Sequence, residues 1–216
     1  MPASAQTDVL SATRESYDKL AIDYAAHFAD AMAGMPVERA VLGLFAEVVT
    51  GPVLDVGCGT GLATGILHDL GVAIAGVDLS PGMLEMARQN LPSLPFDVAS
   101  MLELPHADGS FAGVMSWYST IHIPDDLLPT ALSELARVLR PGGHLLLGFQ
   151  VGDVPRHMTS ALGHDLELVF HRRQPDRMAE LLAAADVPVE TRIYREAMLD
   201  EPTPQAFLLA RKPATP

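Results

Sequence analysis

Three glycines at alternate positions, Gly57, Gly59 and Gly61, follow the apolar run Val53-Leu54-Asp55-Val56, with Cys58 between the first two. Seventeen residues after Gly61 stands Asp78, at the end of a second apolar run, 72–77. A turn this rich in glycine can take positive φ and bring a ligand against the main chain. A carboxylate beside it can accept both hydroxyls of a ribose, each charge-assisted hydrogen bond contributing ~1.5–3 kcal/mol. The spacing is G-x-G-x-G rather than G-x-G-x-x-G, which leaves no roomy cradle for a pyrophosphate. Asp55, at the strand end, can cap the amides of the turn itself. Cys58 reads as a small residue in a tight turn rather than a reactive thiol. Further on, Trp117 and His122 follow a third apolar run, 111–116. An imidazole titrates near pH ~6.5, so His122 could serve as a base or position an acceptor. It could equally bond a neighbouring carbonyl and only shape a pocket.

The elements that must hold these residues alternate. Strand 52–56 leads to helix 60–70, and strand 72–77 to helix 81–91, with Ser80 as N-cap and Pro81 in the first turn. Strands 96–99, 111–116 and 144–149 follow, the last two separated by helix 126–139, which Pro141-Gly142-Gly143 stops. Alternating strands and helices imply a parallel sheet with right-handed connections. Residues 165–171 alternate polar and apolar and read as an extra edge strand; helix 175–185 comes next. Val189–Arg195 and Gln205–Arg211 read as two adjacent strands joined by a loop bounded by Pro202 and Pro204. Upstream, residues 9–32 carry apolar positions at three- and four-residue steps, one amphipathic helix or two short ones, and 37–48 repeat the pattern. Ligands of open parallel sheets lie beyond the carboxyl ends of the strands. That places Gly57, Gly59 and Gly61, then Asp78 and Leu79, then Ser100, Met101 and Leu102, then Trp117, Tyr118 and His122 at the site.

Val-Leu-Asp-Val-Gly-Cys-Gly-Thr-Gly closely resembles the first motif of class I S-adenosylmethionine (SAM) methyltransferases. The continuation from Asp78 through Ser80-Pro81-Gly82-Met83 resembles that family's second strand-to-helix junction. Residues 99–111 resemble its Gly-Asp-Ala-x-x-Leu-Pro-Phe-x-Asp-Gly-Ser-Phe block, except that Ser100 stands where an Asp usually accepts from the adenine amino group. Ser116-Trp117-Tyr118-Ser119-Thr120-Ile121-His122 is similar to a bacterial small-molecule, ubiquinone- and menaquinone-methyltransferase-like subgroup.

The resemblance implies a doubly wound, Rossmann-like α/β fold: a mostly parallel seven-stranded sheet with an antiparallel C-terminal strand and helices on both faces. It implies SAM as cofactor and S-adenosylhomocysteine (SAH) as product. The implied cofactor set is Tyr24, Asp55, Gly57, Cys58, Gly59, Gly61, Asp78, Leu79, Met83, Ser100, Met101, Leu102 and Trp117. Within it, Asp55 sits near the methionine amino group, Met101 packs on the adenine, Ser100 weakens adenine selectivity and Trp117 covers the cofactor. Tyr17 and Tyr24, on a segment lying over the pocket mouth, face the ligand or are core-face aromatics. One domain is expected, divided into an N-terminal helical lid (1–50), a SAM-binding core (51–150) and an acceptor side with the C-terminal sheet edge (151–216). The implied activity is methyl transfer to an oxygen or nitrogen of a small molecule in secondary or quinone-like metabolism. A nicotinamide-dependent oxidoreductase, against which the glycine spacing speaks, and a non-catalytic SAM-binding module remain as alternatives.

Composition narrows the partners. The 216 residues are 49% hydrophobic, enough for one sizeable core. Net charge is −13, from 27 acidic and 14 basic residues, with no basic stripe, so nucleic acid and anionic membrane surfaces are disfavoured. The absence of an Asn-Pro-Pro-Tyr signature speaks further against a nucleobase. A single cysteine gives no disulfide framework. No apolar run reaches the ~18 residues of a membrane span, and Met1–Asp8 lacks the basic and apolar regions of a signal peptide, so a cytoplasmic monomer or homodimer is expected. His157, His164 and His171 fall seven apart and off one helical face, and no cluster has zinc spacing, so no metal is expected. Arg156, Arg172 and Arg173 could meet an acidic acceptor, although surface charges need no such role.

Overall fold

A computed structural model describes residues 3–198 and 201–214, with side chains from Leu10. The chain opens with helix α1 (Ala3–Phe28), a single element where the pattern allowed two, then a 3-10 turn (Ala31–Gly34) and α2 (Pro36–Val48). The alternating part comprises β1 (Val53–Val56), α3 (Leu62–Asp69), β2 (Ile74–Asp78), α4 (Pro81–Asn90), β3 (Phe96–Val98), β4 (Phe111–Trp117), α5 (Leu128–Val138) and β5 (Leu139–Gln150). After it come β6 (Arg156–Ala161), β7 (His164–Phe170), α6 (Pro175–Ala184), β8 (Val189–Arg195) and β9 (Gln205–Arg211).

Seven strands form one sheet in the order β3-β2-β1-β4-β5-β9-β8. β1, β2, β3, β4 and β5 pair in parallel, while β9 runs antiparallel to both β5 and β8. β1 is buried at all four positions, as a central parallel strand covered on both faces must be. The order reverses between β1 and β4, so the crevice outside their carboxyl ends is the natural ligand site. Ser80 caps α4 as expected: its Oγ accepts the Met83 amide at 3.0 Å, with Pro81 in the first turn.

Residues 164–170 are not an edge strand of the main sheet. β7 pairs only with β6, in a separate antiparallel hairpin. The apolar side of β7, Leu166 and Leu168, buries against Leu20 of α1, with Tyr17, Tyr24, Met158 and Phe170 around it. Period-two alternation states that one face is covered; it does not state what covers it. Ser16 fastens the two elements, accepting the Glu167 amide at 2.9 Å. α1 and the hairpin together roof the carboxyl ends of β1, β2 and β4. No described helix is long and apolar enough to cross a membrane.

Candidate active site

The glycine turn is shaped by its neighbours. Gly57 and Cys58 both donate their amides to the Val77 carbonyl, at 2.7 and 3.0 Å, which draws the turn onto the end of β2. Gly57, Gly59 and Gly61 take φ of +77°, +57° and +83°. A Cβ on Gly57 would lie 2.2 Å from the Ser119 Cβ. The Ser119 hydroxyl in turn donates to the Val56 carbonyl at 2.6 Å, pinning the loop after β4 to the turn. A Cβ on Gly59 would instead meet nothing within 4 Å; that space is the cavity.

Asp78 reaches back from β2 to this turn. The Gly59 amide donates to Oδ2 at 2.8 Å and the Ser80 amide to Oδ1 at 2.9 Å. Burial raises the Asp78 pKa, and the amides of Ser80, Gly59 and Leu79 oppose that rise. Each carboxylate oxygen keeps a further lone pair.

Asp55 is buried under the turn but does not cap its amides. Oδ2 accepts the Thr64 hydroxyl at 2.6 Å, and Oδ1 has no partner among the described residues. Desolvation pushes its pKa up to about 7, against the Thr64 bond and helped by the Asp78 charge. The site therefore holds a buried acceptor oxygen that is unsatisfied. Cys58 packs over Gly76, where a Cβ would come 2.7 Å from its Sγ. Burial pushes its thiol well up, so it stays protonated and unreactive.

His122 sits in a 3-10 turn (Thr120–His122) after β4 and is buried. Its Nδ1 lies 3.1 Å from the Val169 carbonyl and its Nε2 2.7 Å from the Tyr17 hydroxyl. A carbonyl can only accept, so Nδ1 carries the proton and donates to it; Nε2 then accepts from Tyr17. Desolvation lowers the His122 pKa to about 4, against the Val169 bond. The imidazole is neutral at physiological pH, and its free lone pair is already engaged. Tyr24 stands edge-on to Tyr17, ring centroids 6.0 Å apart, and burial pushes its phenol up to about 12.

These groups line one cavity of about 540 Å³. Tyr24, Asp55, Gly57, Cys58, Gly59, Asp78, Leu79, Met83, Ser100, Met101, Trp117 and His122 all face it. Two residues of the expected cofactor set do not. Gly61 is the N-cap of α3, where a Cβ would come 3.0 Å from Leu91, so it serves helix packing. Leu102, half-buried, packs against the main core cluster instead. Trp117 touches the cavity, but Phe207 stacks on its ring at 5.1 Å and 19°, so one face is taken. The Ser100 hydroxyl accepts the Leu102 amide at 3.2 Å. No group of acidic, His or Cys side chains among the described residues could hold a metal.

The sequence did not single out Asp18. It accepts the Ser80 hydroxyl at 2.6 Å and the Gly82 amide at 2.9 Å, tying α1 to the start of α4. An acid on the polar face of a helix carries no signal of such a contact. Met158, Leu168 and Phe170 of the hairpin also reach the cavity unannounced.

Residues 53–143 match a family model described as a methyltransferase domain. Over that stretch the chain is similar to methyltransferase domains. Methyltransferase GfsG of Streptomyces halstedii is 40% identical over 102 residues, 44% of this chain and 36% of that protein. A demethylmenaquinone methyltransferase of Symbiobacterium thermophilum is 33% identical over 146 residues, 62% of this chain and 57% of that protein. The chain spans 36% to 61% of the curated relatives it matches. Among solved structures, the 1,6-didemethyltoxoflavin-N1-methyltransferase of Burkholderia thailandensis, with 1,6-didemethyltoxoflavin and SAH bound, superposes with a TM-score of 0.74. It is 20% identical, with 99% of this chain and 92% of that chain covered, a likeness of fold. SAM is a cationic sulfonium joining adenosine to an amino acid. For a methyltransferase the residues here fit that group: the open space at Gly59 admits a ligand against the main chain, and the unpartnered Asp55 Oδ1 awaits a donor.

Proposed function

We propose that this chain moves a methyl group from SAM to an oxygen or nitrogen of a small molecule with an apolar body. The observation that carries the reading is the 2.8 Å bond from the Gly59 amide to Asp78, formed at the wall of an open cavity that continues to Tyr17 and His122. On this reading Asp78 takes the ribose hydroxyls with its remaining lone pairs. Asp55 Oδ1 takes the amino group, Met83 and Met101 flank the adenine, and Ser100 bonds it without charge. A bound sulfonium supplies an already activated methyl group, so the protein's task is alignment and exclusion of water.

His122 is read as a positioning residue. With a pKa of about 4 it accepts a proton poorly at neutral pH. Its neutral Nε2 instead orients the Tyr17 hydroxyl, whose oxygen keeps a lone pair for an acceptor's O–H or N–H. On this reading the lid, through Tyr17 of α1, and the acceptor side, through Met158 and Phe170 of the hairpin, enclose this end of the cavity, and residues within 51–150 hold the cofactor. The quinone-like and secondary-metabolite acceptors of the named relatives are the class we favour, in a cytoplasmic monomer or homodimer.

The test is titration calorimetry with SAH against the wild-type chain and Asp78→Ala, then transfer of labelled methyl from SAM across a panel of hydroxylated and amino-bearing aromatic acceptors. Loss of SAH binding in the variant and transfer to at least one acceptor are expected. Unchanged SAH affinity in Asp78→Ala overturns the ribose assignment; tight SAH binding without transfer to any acceptor favours a binding module.

A further inference from the structure

The chain has twelve arginines in an otherwise acidic protein. Nine of them, such as Arg88, Arg137, Arg173 and Arg195, bond a carbonyl or carboxylate of the chain itself. Arg14, Arg156 and Arg172 make no such bond to the described residues. Two of those three, Arg14 and Arg156, stand on the cavity wall.

Their places in the fold put them at one end of it. Arg14 precedes Tyr17 by one turn of α1. Arg156 is the cross-strand partner of Phe170, whose ring lies 4.9 Å from that of His122. Both arginines are exposed, so they sit at the rim above the Tyr17–His122 pair. Of the two carboxylates of the cavity, Asp55 is buried beneath the glycine turn and Asp78 stands at the end of β2, bonded to the Gly59 amide. Between the charges the wall is apolar and aromatic, with Tyr24, Phe28, Ile121, Leu168 and Phe170. The cavity is thus acidic where a cationic cofactor would sit and basic where the acceptor enters.

We infer that the acceptor is a hydrophobic anion, an aromatic or acyl body carrying a carboxylate or similar group that Arg14 and Arg156 hold at the rim. This rests on the methyltransferase reading for the orientation of the cavity and adds the charge of the acceptor. Among the described residues neither guanidinium has a partner to abandon, so neither must break such a contact to meet an anion. A planar, always-charged fork pairs well with a carboxylate. The excess of acidic groups elsewhere would repel an anion from other surfaces and leave this rim as the favourable approach.

The test uses a matched pair of probes, 2-naphthoate and 2-naphthamide, which share ring and size and differ in charge. Each is titrated calorimetrically into the wild-type chain and into the Arg14→Gln/Arg156→Gln double variant, with and without SAH. The wild type is expected to bind the acid about tenfold more tightly than the amide, and the double variant to lose that preference to within about twofold. SAH affinity and melting temperature should be unchanged, since both side chains are exposed. Equal binding of acid and amide, binding of neither, or an acid preference that survives in the double variant overturns the inference. Failure of SAH to bind counts against the methyltransferase reading alone, because the acid–amide comparison stands on the ligand-free protein.

Discussion

The Tyr17 hydroxyl lies 2.7 Å from the His122 Nε2, across 105 residues of sequence. It joins α1 to the loop after β4. Through Nδ1 the same imidazole donates to the Val169 carbonyl of the hairpin. One ring thus holds together three segments that line the cavity.

Tyr17→Phe keeps the ring packing and deletes this bond. Methyl transfer is expected to fall by about tenfold or more, the worth of a buried hydrogen bond left half-made, while SAH affinity by calorimetry stays within about twofold. An unchanged rate would reduce Tyr17 to a wall of the cavity.

The pH–rate profile should show no break near 6.5 from His122, because its folded-state pKa is about 4. The same lowering has a consequence for stability. The unfolded imidazole takes up a proton near pH ~6.5, whereas the folded one resists until about pH 4. His122 therefore costs stability as pH falls through that window. The wild-type melting temperature should drop over this range relative to His122→Asn. Parallel curves would contradict the burial argument.

Asp55 works in the opposite direction. Its carboxyl is held up to about 7, far above the ordinary carboxylate range. Between an ordinary aspartate pKa of ~3.9 and that raised value, the folded state binds more proton than the unfolded one. This group therefore lowers stability as pH rises through that window. Every tenfold change in proton affinity corresponds to about 1.4 kcal/mol. Asp55→Asn should gain on the wild type in ligand-free melting from about pH 4 to pH 7, by an amount growing with pH. The same substitution should weaken SAH binding at neutral pH, since an amide meets an ammonium less well than a carboxylate does.

Gly57 and Gly59 should respond differently to alanine. At Gly57 the new Cβ would fall 2.2 Å from the Ser119 Cβ. Gly57→Ala should lower stability by more than the ~1–2 kcal/mol of a left-handed alanine alone, and Gly57→Ala/Ser119→Gly should recover part of the loss. At Gly59 the Cβ meets open space, so Gly59→Ala should incur only the backbone cost while reducing SAH affinity. Denaturant melts and calorimetry on the three variants separate the two effects; equal destabilisation at both positions would refute the assignment of Ser119.

What followed from the chain alone was local. Val53–Val56, the alternating glycines and the Ser80-Pro81 helix start each set their conformation within a few residues, because strand pattern, positive φ and capping are short-range properties. The spacing of Asp78 then followed from one strand–helix–strand unit whose geometry leaves little freedom. The alternation of elements likewise gave the parallel sheet; its reversed end was implied only by the resemblance of the motifs.

The roof over the cavity was decided by tertiary structure. Residues 164–170 advertised one covered face without naming α1 as its cover. Asp18 and Arg14 are polar residues on an exposed helical face, and only the docking of that helix sends one to Ser80 and the other to the rim. Gly61 kept the motif's spacing, yet packing against Leu91 turned it away from the cavity. Contacts between segments a hundred residues apart depend on which apolar faces meet, and that choice is made by the whole core at once rather than by any one stretch of it.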